Sequence, residues 1–299
     1  MDGSRVTRKK WRLKRIMVVP AQWQGSVEHF YHFFFGYFMP LVLWQERTGT
    51  MVFTLRDCGP MNPWFSLLRP GTDLEYIQAG VMLQRVLTYR QERQILHGWD
   101  DPTRFHRDSM DHFVRTVLTR VDAAEPRPVP PKRITVLDRA PTPDFYLSNT
   151  SETYSSGAEW RSLPNTQAIA HALANLGDVT LLDTASMTPQ EQVRALANTD
   201  LLVAQHGAGL ANMVWMPPGS AVLEIKPPLM PTINEIFANL ASCRGLDHLA
   251  IDQEGEHTPI DVESVIAGAE RLLLSPGDMV PPMPGRLPMR ILRQLPRRL

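Results

Sequence analysis

The sequence of 299 residues has only two cysteines, Cys58 and Cys243, far apart and outside any C-x-x-C or histidine-rich spacing. That excludes a disulfide framework or zinc site as the organising device and leaves two apolar thiols. Net charge is also missing, since 31 lysines and arginines balance 31 aspartates and glutamates. With no global field to recruit nucleic acid or an acidic surface, an anionic ligand has to be held by a local site. No apolar run reaches the roughly 18 residues of a spanning helix. The nearest, Phe30 to Trp44, is interrupted by Gly36 and Pro40, and the short run Ile16 to Val19 behind the basic start ends at Pro20. Neither reads as a signal-peptide core. The expectation is a cytoplasmic chain, or one touching an anionic membrane through its basic segment Arg5 to Arg15, or a secretory chain lacking its true N-terminus. In a secretory compartment Asn149-Thr150-Ser151 would be a glycosylation acceptor. Absent too are a G-x-G-x-x-G dinucleotide turn, a G-K-[ST] phosphate loop and a G-x-S-x-G elbow. Dinucleotide-dependent oxidoreductases and the common hydrolases are disfavoured accordingly.

Proline is plentiful, and its placement divides the chain. Pro126, Pro128, Pro130 and Pro131 fall between Ala124 and Lys132, a stretch that can be neither helix nor sheet interior. A prior of roughly 150 residues per domain agrees with two halves. The division is an N-terminal α/β domain over residues 1–123, a linker over 124–132, a C-terminal domain over 133–274 and a Pro/Arg-rich tail over 275–299. In the second half strands and helices alternate. RITVLD (133–138) is followed by a helix over Thr166 to Leu176 stopped by Gly177, then VTLLD (179–183), a capping box with proline at Thr188 to Glu191, and LLVAQ (201–205). A short helix from Gly209, a strand at Ala221 to Ile225, a helix at Thr232 to Arg244, a strand at His248 to Asp252 and a helix opening at Asp261 complete it. Such alternation predicts a parallel sheet wound on both faces, with ligands at the carboxyl ends of the strands. The first half is predicted as a strand at Arg15 to Val19, a long aromatic helix from about Ser26, a strand at Met51 to Leu55 and then mostly helix to Arg120.

Gln205-His206-Gly207-Ala208-Gly209-Leu210 follows an apolar strand and opens a helix. There a glycine-rich turn lets the backbone approach a ligand, and free N–H groups with the helix dipole favour a diphosphate. His206 is placed to donate a hydrogen bond to a phosphate oxygen. The longer string HGAGLANMVWMPPGSAVLEIKP, His206 to Pro227, resembles the signature of glycosyltransferase family 61, with Ala211 standing where the family commonly has threonine. Thr188 to Gln192 and Asn198 to Val203 also fit, Arg139 resembles the arginine ending the domain's first strand, and Arg161 with Asn165 resembles an arginine-asparagine pair. His29-Phe30-Tyr31-His32-Phe33 is similar to the family's Asn-aromatic-aromatic-His-aromatic segment, with His29 in place of asparagine and Gly36 where many members carry aspartate.

The resemblance implies a glycosyltransferase of the GT-B type, two Rossmann-like domains facing a cleft. A nucleotide sugar, most simply a UDP-sugar, is its co-substrate, and a glycan or protein-linked hydroxyl its acceptor. It also implies inversion at the anomeric carbon. The donor set is Arg139, Arg161, Asn165, His206, Gly207, Ala208, Gly209, Leu210 and Asn212, with Glu224 accepting from the ribose hydroxyls. No Asp-x-Asp occurs, so transfer without a metal or other cofactor is expected, arginines and a helix N-terminus stabilising the leaving diphosphate. His32 is the expected base, because imidazole titrates near neutrality, with Glu28, His29 and Asp57 in reserve and Trp23, Tyr31 and Trp64 as candidates to stack on a sugar. A homologue that binds nucleotide or carbohydrate without turnover is the alternative, favoured by the departures at His29 and Gly36.

Overall fold

The computed structural model describes residues 15–19, 26–78, 95–97, 105–123, 132–148, 151, 157–228 and 235–274. The basic start before Arg15, Trp23, Asn149, Thr150, the linker over 124–131 and the tail from 275 lie outside the described residues.

The second half forms a five-stranded parallel sheet of β5 (Arg133–Asp138), β6 (Asp178–Asp183), β7 (Leu201–Gln205), β8 (Ala221–Lys226) and β9 (Asp247–Asp252) in the order β6-β5-β7-β8-β9. Every residue of β7 is buried, and β8 is buried up to Ile225, which is why both read as apolar runs rather than alternations. One face packs on α5 (Thr166–Leu173) and α8 (Val262–Leu274) through Ile134, Val136, Ile169, Val203, Leu223 and Val265. The opposite face contributes Leu202, Ala204 and Val222 to a second cluster with α6 (Pro189–Ala197) and α7 (Ile236–Arg244). The capping box on α6 is present, with Thr188 Oγ1 accepting from Glu191 N and Pro189 in the first turn.

Gly177 has another role than a left-handed helix stop. It does not have positive φ; instead a Cβ there would run into the carbonyl of Lys132, which accepts from Asp178 N at 2.8 Å as β5 and β6 begin to pair. The helix itself ends four residues earlier, at Leu173.

The first half is a four-stranded parallel sheet, β3-β2-β1-β4, formed by β1 (Ile16–Val19), β2 (Val52–Arg56), β3 (Asp73–Ile77) and β4 (Ile95–His97). The expected run of helix to Arg120 is thus overturned: two strands and a 3-10 helix, Gly59–Leu67, precede α3 (Arg107–Arg120). β3 is an edge strand with the half-exposed sequence DLEYI, and β4 has only three residues on the other edge. Neither has the apolar run or clean alternation that marks a strand in sequence.

The aromatic helix begins at Phe30 rather than Ser26. It runs as α1 (Phe30–Phe33), a π turn (Phe34–Phe38) and α2 (Met39–Thr48). The π turn fits Pro40 at the start of α2, whose ring and missing N–H disturb regular bonding in the preceding turn. Tyr37 ties this segment to the sheet, its hydroxyl donating to Val18 O at 2.9 Å and accepting from Arg56 N at 2.8 Å. Phe33, Phe34 and Phe38 then join Trp64, Phe113, Trp215 and Phe237 in one apolar cluster that runs from the first half into the second.

Candidate functional site

The chain enters the second sheet at β5, adds β6 on one side and crosses to β7 on the other. Winding therefore reverses between β5 and β7, and a crevice opens where their carboxyl ends part. Arg139 directly follows β5, and His206-Gly207 directly follow β7. A 3-10 helix, Ala208–Trp215, begins there, with Leu210 N bonded to Gly207 O at 3.0 Å. The N–H groups of Ala208 and Gly209, which open this helix, have no carbonyl of their own helix behind them, and both residues border the cavity. The cavity at this point has a volume of about 350 Å³. Arg139, Arg161 and Gly207 to Leu210 line it from the second half, and His29, Phe30, Met61 and Trp64 from the first.

Two guanidinium groups converge here on a single acceptor. Arg139 Nη2 donates to the carbonyl of His206 at 2.9 Å, and Arg161 Nη1 donates to the same oxygen at 3.0 Å. Arg161 Nε is buried with no partner. Among the described residues neither arginine has a carboxylate within salt-bridging distance. Asp138 lines the same cavity, but its Oδ1 accepts from Arg139 N and from Thr166 Oγ1. Burial lowers the Arg139 pKa to about 10, and the charge of Arg161 adds to the effect. Arg161 is lowered by burial as well, against an opposing pull from Glu256. Positive charge withdrawn from water with no carboxylate in salt-bridging distance is the electrostatic complement of a diphosphate.

Gly207 serves this pair. A Cβ at Gly207 would collide with Arg139 Nη2, so the missing side chain makes room for the arginine rather than for a ligand. At Gly209 a Cβ would meet only Leu137 Cδ1 at 3.7 Å, an ordinary contact, and the residue borders the cavity. Of the two glycines, both of which border the cavity, Gly209 is the one whose Cβ position is open.

Several expected contacts take a different form. The His206 ring turns to the sheet: Nδ1 lies 2.5 Å from Glu224 Oε1, and the ring sits edge-on to Phe237 at 5.1 Å between centroids. Glu224 is 0% exposed, and its other oxygen, Oε2, takes His248 Nε2 at 2.8 Å. Burial would raise its pKa, yet the hydrogen bonds and charges of His206 and His248 outweigh burial and hold it at about 2. A ribose could reach this carboxylate only by displacing both histidines. Asn165 is likewise occupied, donating to Ile260 O at 2.8 Å and accepting from Ile260 N at 3.1 Å, which clips the start of α5 to the segment before α8. Asn212 borders the cavity, and its buried amide accepts from Trp215 Nε1 at 3.2 Å. His248 escaped the sequence reading; its one signal is a lone imidazole in the otherwise apolar stretch HLAI of β9.

On the opposite wall, His29 stands at the N-cap position of α1, its ring making no capping hydrogen bond, and lines the cavity, whereas His32, one turn on, does not. Their rings lie 5.2 Å apart, and Nδ1 of each is buried without a partner. Burial, then His32, Arg161 and Arg139, lower the His29 pKa to about 4, and burial lowers that of His32. The reserve acids are tied up. Glu28 accepts from Ser151 Oγ at 3.1 Å and faces Arg56 at 3.7 Å. Asp57, whose pKa is lowered chiefly by hydrogen bonds from Asn62 and the Gly59 amide, does not border the cavity. Tyr31 and Trp64 belong to the aromatic core, although Trp64 also borders the cavity.

The sequence profile described as Glycosyltransferase 61 matches residues 30–223. The chain belongs to glycosyltransferase family 61. The matched segment holds Arg139, Arg161 and the whole turn after β7, and with them most of the crevice lining, His29 lying one residue before it. No curated protein matches the chain. Membership in family 61 makes it a glycosyltransferase, acting between a glycosyl donor and an acceptor. Among the described residues no helix is long and apolar enough to cross a membrane.

Proposed function

We propose that this glycosyltransferase moves a hexosyl or pentosyl group from a UDP-sugar to a glycan or protein-linked hydroxyl, with inversion and without a metal ion. The nucleotide diphosphate lies on the second half, and the acceptor enters from the first, in the GT-B manner of two Rossmann-like lobes around a cleft. The single observation that carries the reading is the convergence of Arg139 and Arg161 on the His206 carbonyl, beside the open first turn at Ala208 and Gly209.

In this scheme the acceptor oxygen attacks the anomeric carbon on the face away from the diphosphate. The bond from that carbon to the phosphate oxygen breaks as the new one forms, and its electron pair departs with the diphosphate. The arginines and first-turn N–H groups stabilise that charge, the task a divalent cation performs in other transferases. The acceptor proton passes to an imidazole of the His29–His32 pair. His32 was the expectation from sequence; His29 is the member that borders the cavity, and it takes the role here. Gly36, one of the departures favouring a non-catalytic homologue, is buried inside the π turn and does not border the cavity, so the missing aspartate leaves this arrangement intact.

Calorimetric titration with UDP, with and without EDTA, tests the proposal. Micromolar binding that survives EDTA and weakens on Arg139→Ala by about 10- to 100-fold, the scale of a lost charge-assisted hydrogen bond, is the expected result. Binding abolished by EDTA would remove metal independence. A folded chain that ignores UDP, GDP and CMP alike would remove the donor site.

A further inference from the structure

Resting on that donor-site reading, we propose that Glu224 is a positioning residue. It locks the His206 ring so that the His206 carbonyl can dock both arginines. The peptide of His206 is held on every side but one. Its N–H donates to Ile225 O at 2.8 Å, its Nδ1 is fixed by Glu224 Oε1 at 2.5 Å, and its ring leans on Phe237. The remaining group, the carbonyl, receives Arg139 and Arg161. Glu224 is itself immobilised by His248 on the neighbouring strand β9.

A carboxylate is an unfavourable choice for this position in the sheet. Leu223 and Ile225 on either side are fully buried, as is Glu224, and an ionised group there is costly unless it is paired. What the charge provides is orientation. A carboxylate facing Nδ1 keeps the proton on that nitrogen and fixes the ring plane, as the outer partner of a metal-bound histidine does. Here the oriented group is a peptide carbonyl, and what it organises is a pair of cations.

The conservative variant His206→Asn separates this role from a direct contact. An asparagine amide reproduces the donor at Nδ1 but has nothing at the Nε2 position. If His206 acts through Glu224 and its own carbonyl, His206→Asn keeps UDP affinity within about threefold, while His206→Ala and Glu224→Gln lose about tenfold or more. In an Arg139→Ala background, which keeps a measurable affinity, the Glu224→Gln loss shrinks, because one of the two arginines through which it acts is gone. Equal losses in His206→Asn and His206→Ala, or an undiminished Glu224→Gln effect in that background, would overturn the assignment. A purely structural role would lower the melting temperature of Glu224→Gln while UDP affinity in the folded chain stayed unchanged.

Nitrogen-15 arginine spectra of the ligand-free chain read the docking without any nucleotide. Two guanidinium groups with hindered rotation in the wild type, both released in Glu224→Gln, support the proposal even should UDP fail to bind. Hindered rotation that persists in Glu224→Gln refutes it.

Discussion

Gly207 looks in sequence like a residue that admits a ligand, and in the fold it admits a guanidinium. Its Cβ position is taken up by Arg139, and its own φ of 164° is extended backbone that any residue adopts, so the constraint is steric rather than conformational. Gly207→Ala is therefore expected to displace Arg139 from the His206 carbonyl and weaken UDP binding by about 10-fold or more, the scale of a lost charge-assisted hydrogen bond. Calorimetry on a variant with an unchanged far-ultraviolet spectrum checks this.

His29 gives a pH prediction at the same scale. Its folded pKa of about 4 lies below the ordinary 6.5, so between these values the unfolded chain binds the proton that the folded chain refuses. Stability from this group therefore rises with pH across that window and is lost as pH falls from about 6.5 toward 4, by on the order of 2–3 kcal/mol. A bound diphosphate offsets the repulsion from Arg139 and Arg161, so UDP is expected to raise the His29 pKa. Imidazole proton shifts followed from pH 8 to 5 with and without UDP would show it; identical titrations would count against the diphosphate lying beside His29.

At the scale of elements, α6 shows local sequence and local structure in agreement. Thr188, Pro189 and Glu191 form the capping box that their spacing predicts. The box's hydrogen bonds are exposed, so Thr188→Ala is expected to cost about 1 kcal/mol of stability and to leave UDP affinity unchanged, read by denaturant melts and titration. The edge strands β3 and β4 show the opposite. Edge strands need only half the apolar character of central ones, and β3 carries Asp73 and Glu75 with Arg15 beside them at 2.6 and 3.8 Å. Periodicity alone gives such a segment no strand signature.

At the scale of the whole molecule, the proline-rich stretch marks two halves in sequence, and one apolar cluster contains residues of both. Phe34 packs edge-on against Trp215 at 5.4 Å, and Tyr31 against Phe237 at 6.0 Å. Tyr146 donates to the Glu28 carbonyl at 2.7 Å, and Arg244 pairs with Asp111. With a shared core, calorimetric unfolding is expected as one transition whose calorimetric and van't Hoff enthalpies agree. Two resolved transitions would mean that the halves are energetically separate.

The sequence by itself determined the second sheet, its strand boundaries to within a residue or so, the turn after β7 and the family. Buried parallel strands must be apolar runs, and glycines directly after such a run mark where the chain turns, so these are written locally. Arg139 and Arg161 were also legible as candidates, though only through their resemblance to the family pattern. The tertiary structure alone decided what each polar group faces. Glu224 and His206 stand 18 positions apart and Arg139 and His206 67 apart, and their meeting depends on strand order, which no local pattern encodes. The same holds for His29 over His32: both lie on one aromatic segment, and only packing against the second half placed one of them at the cavity wall.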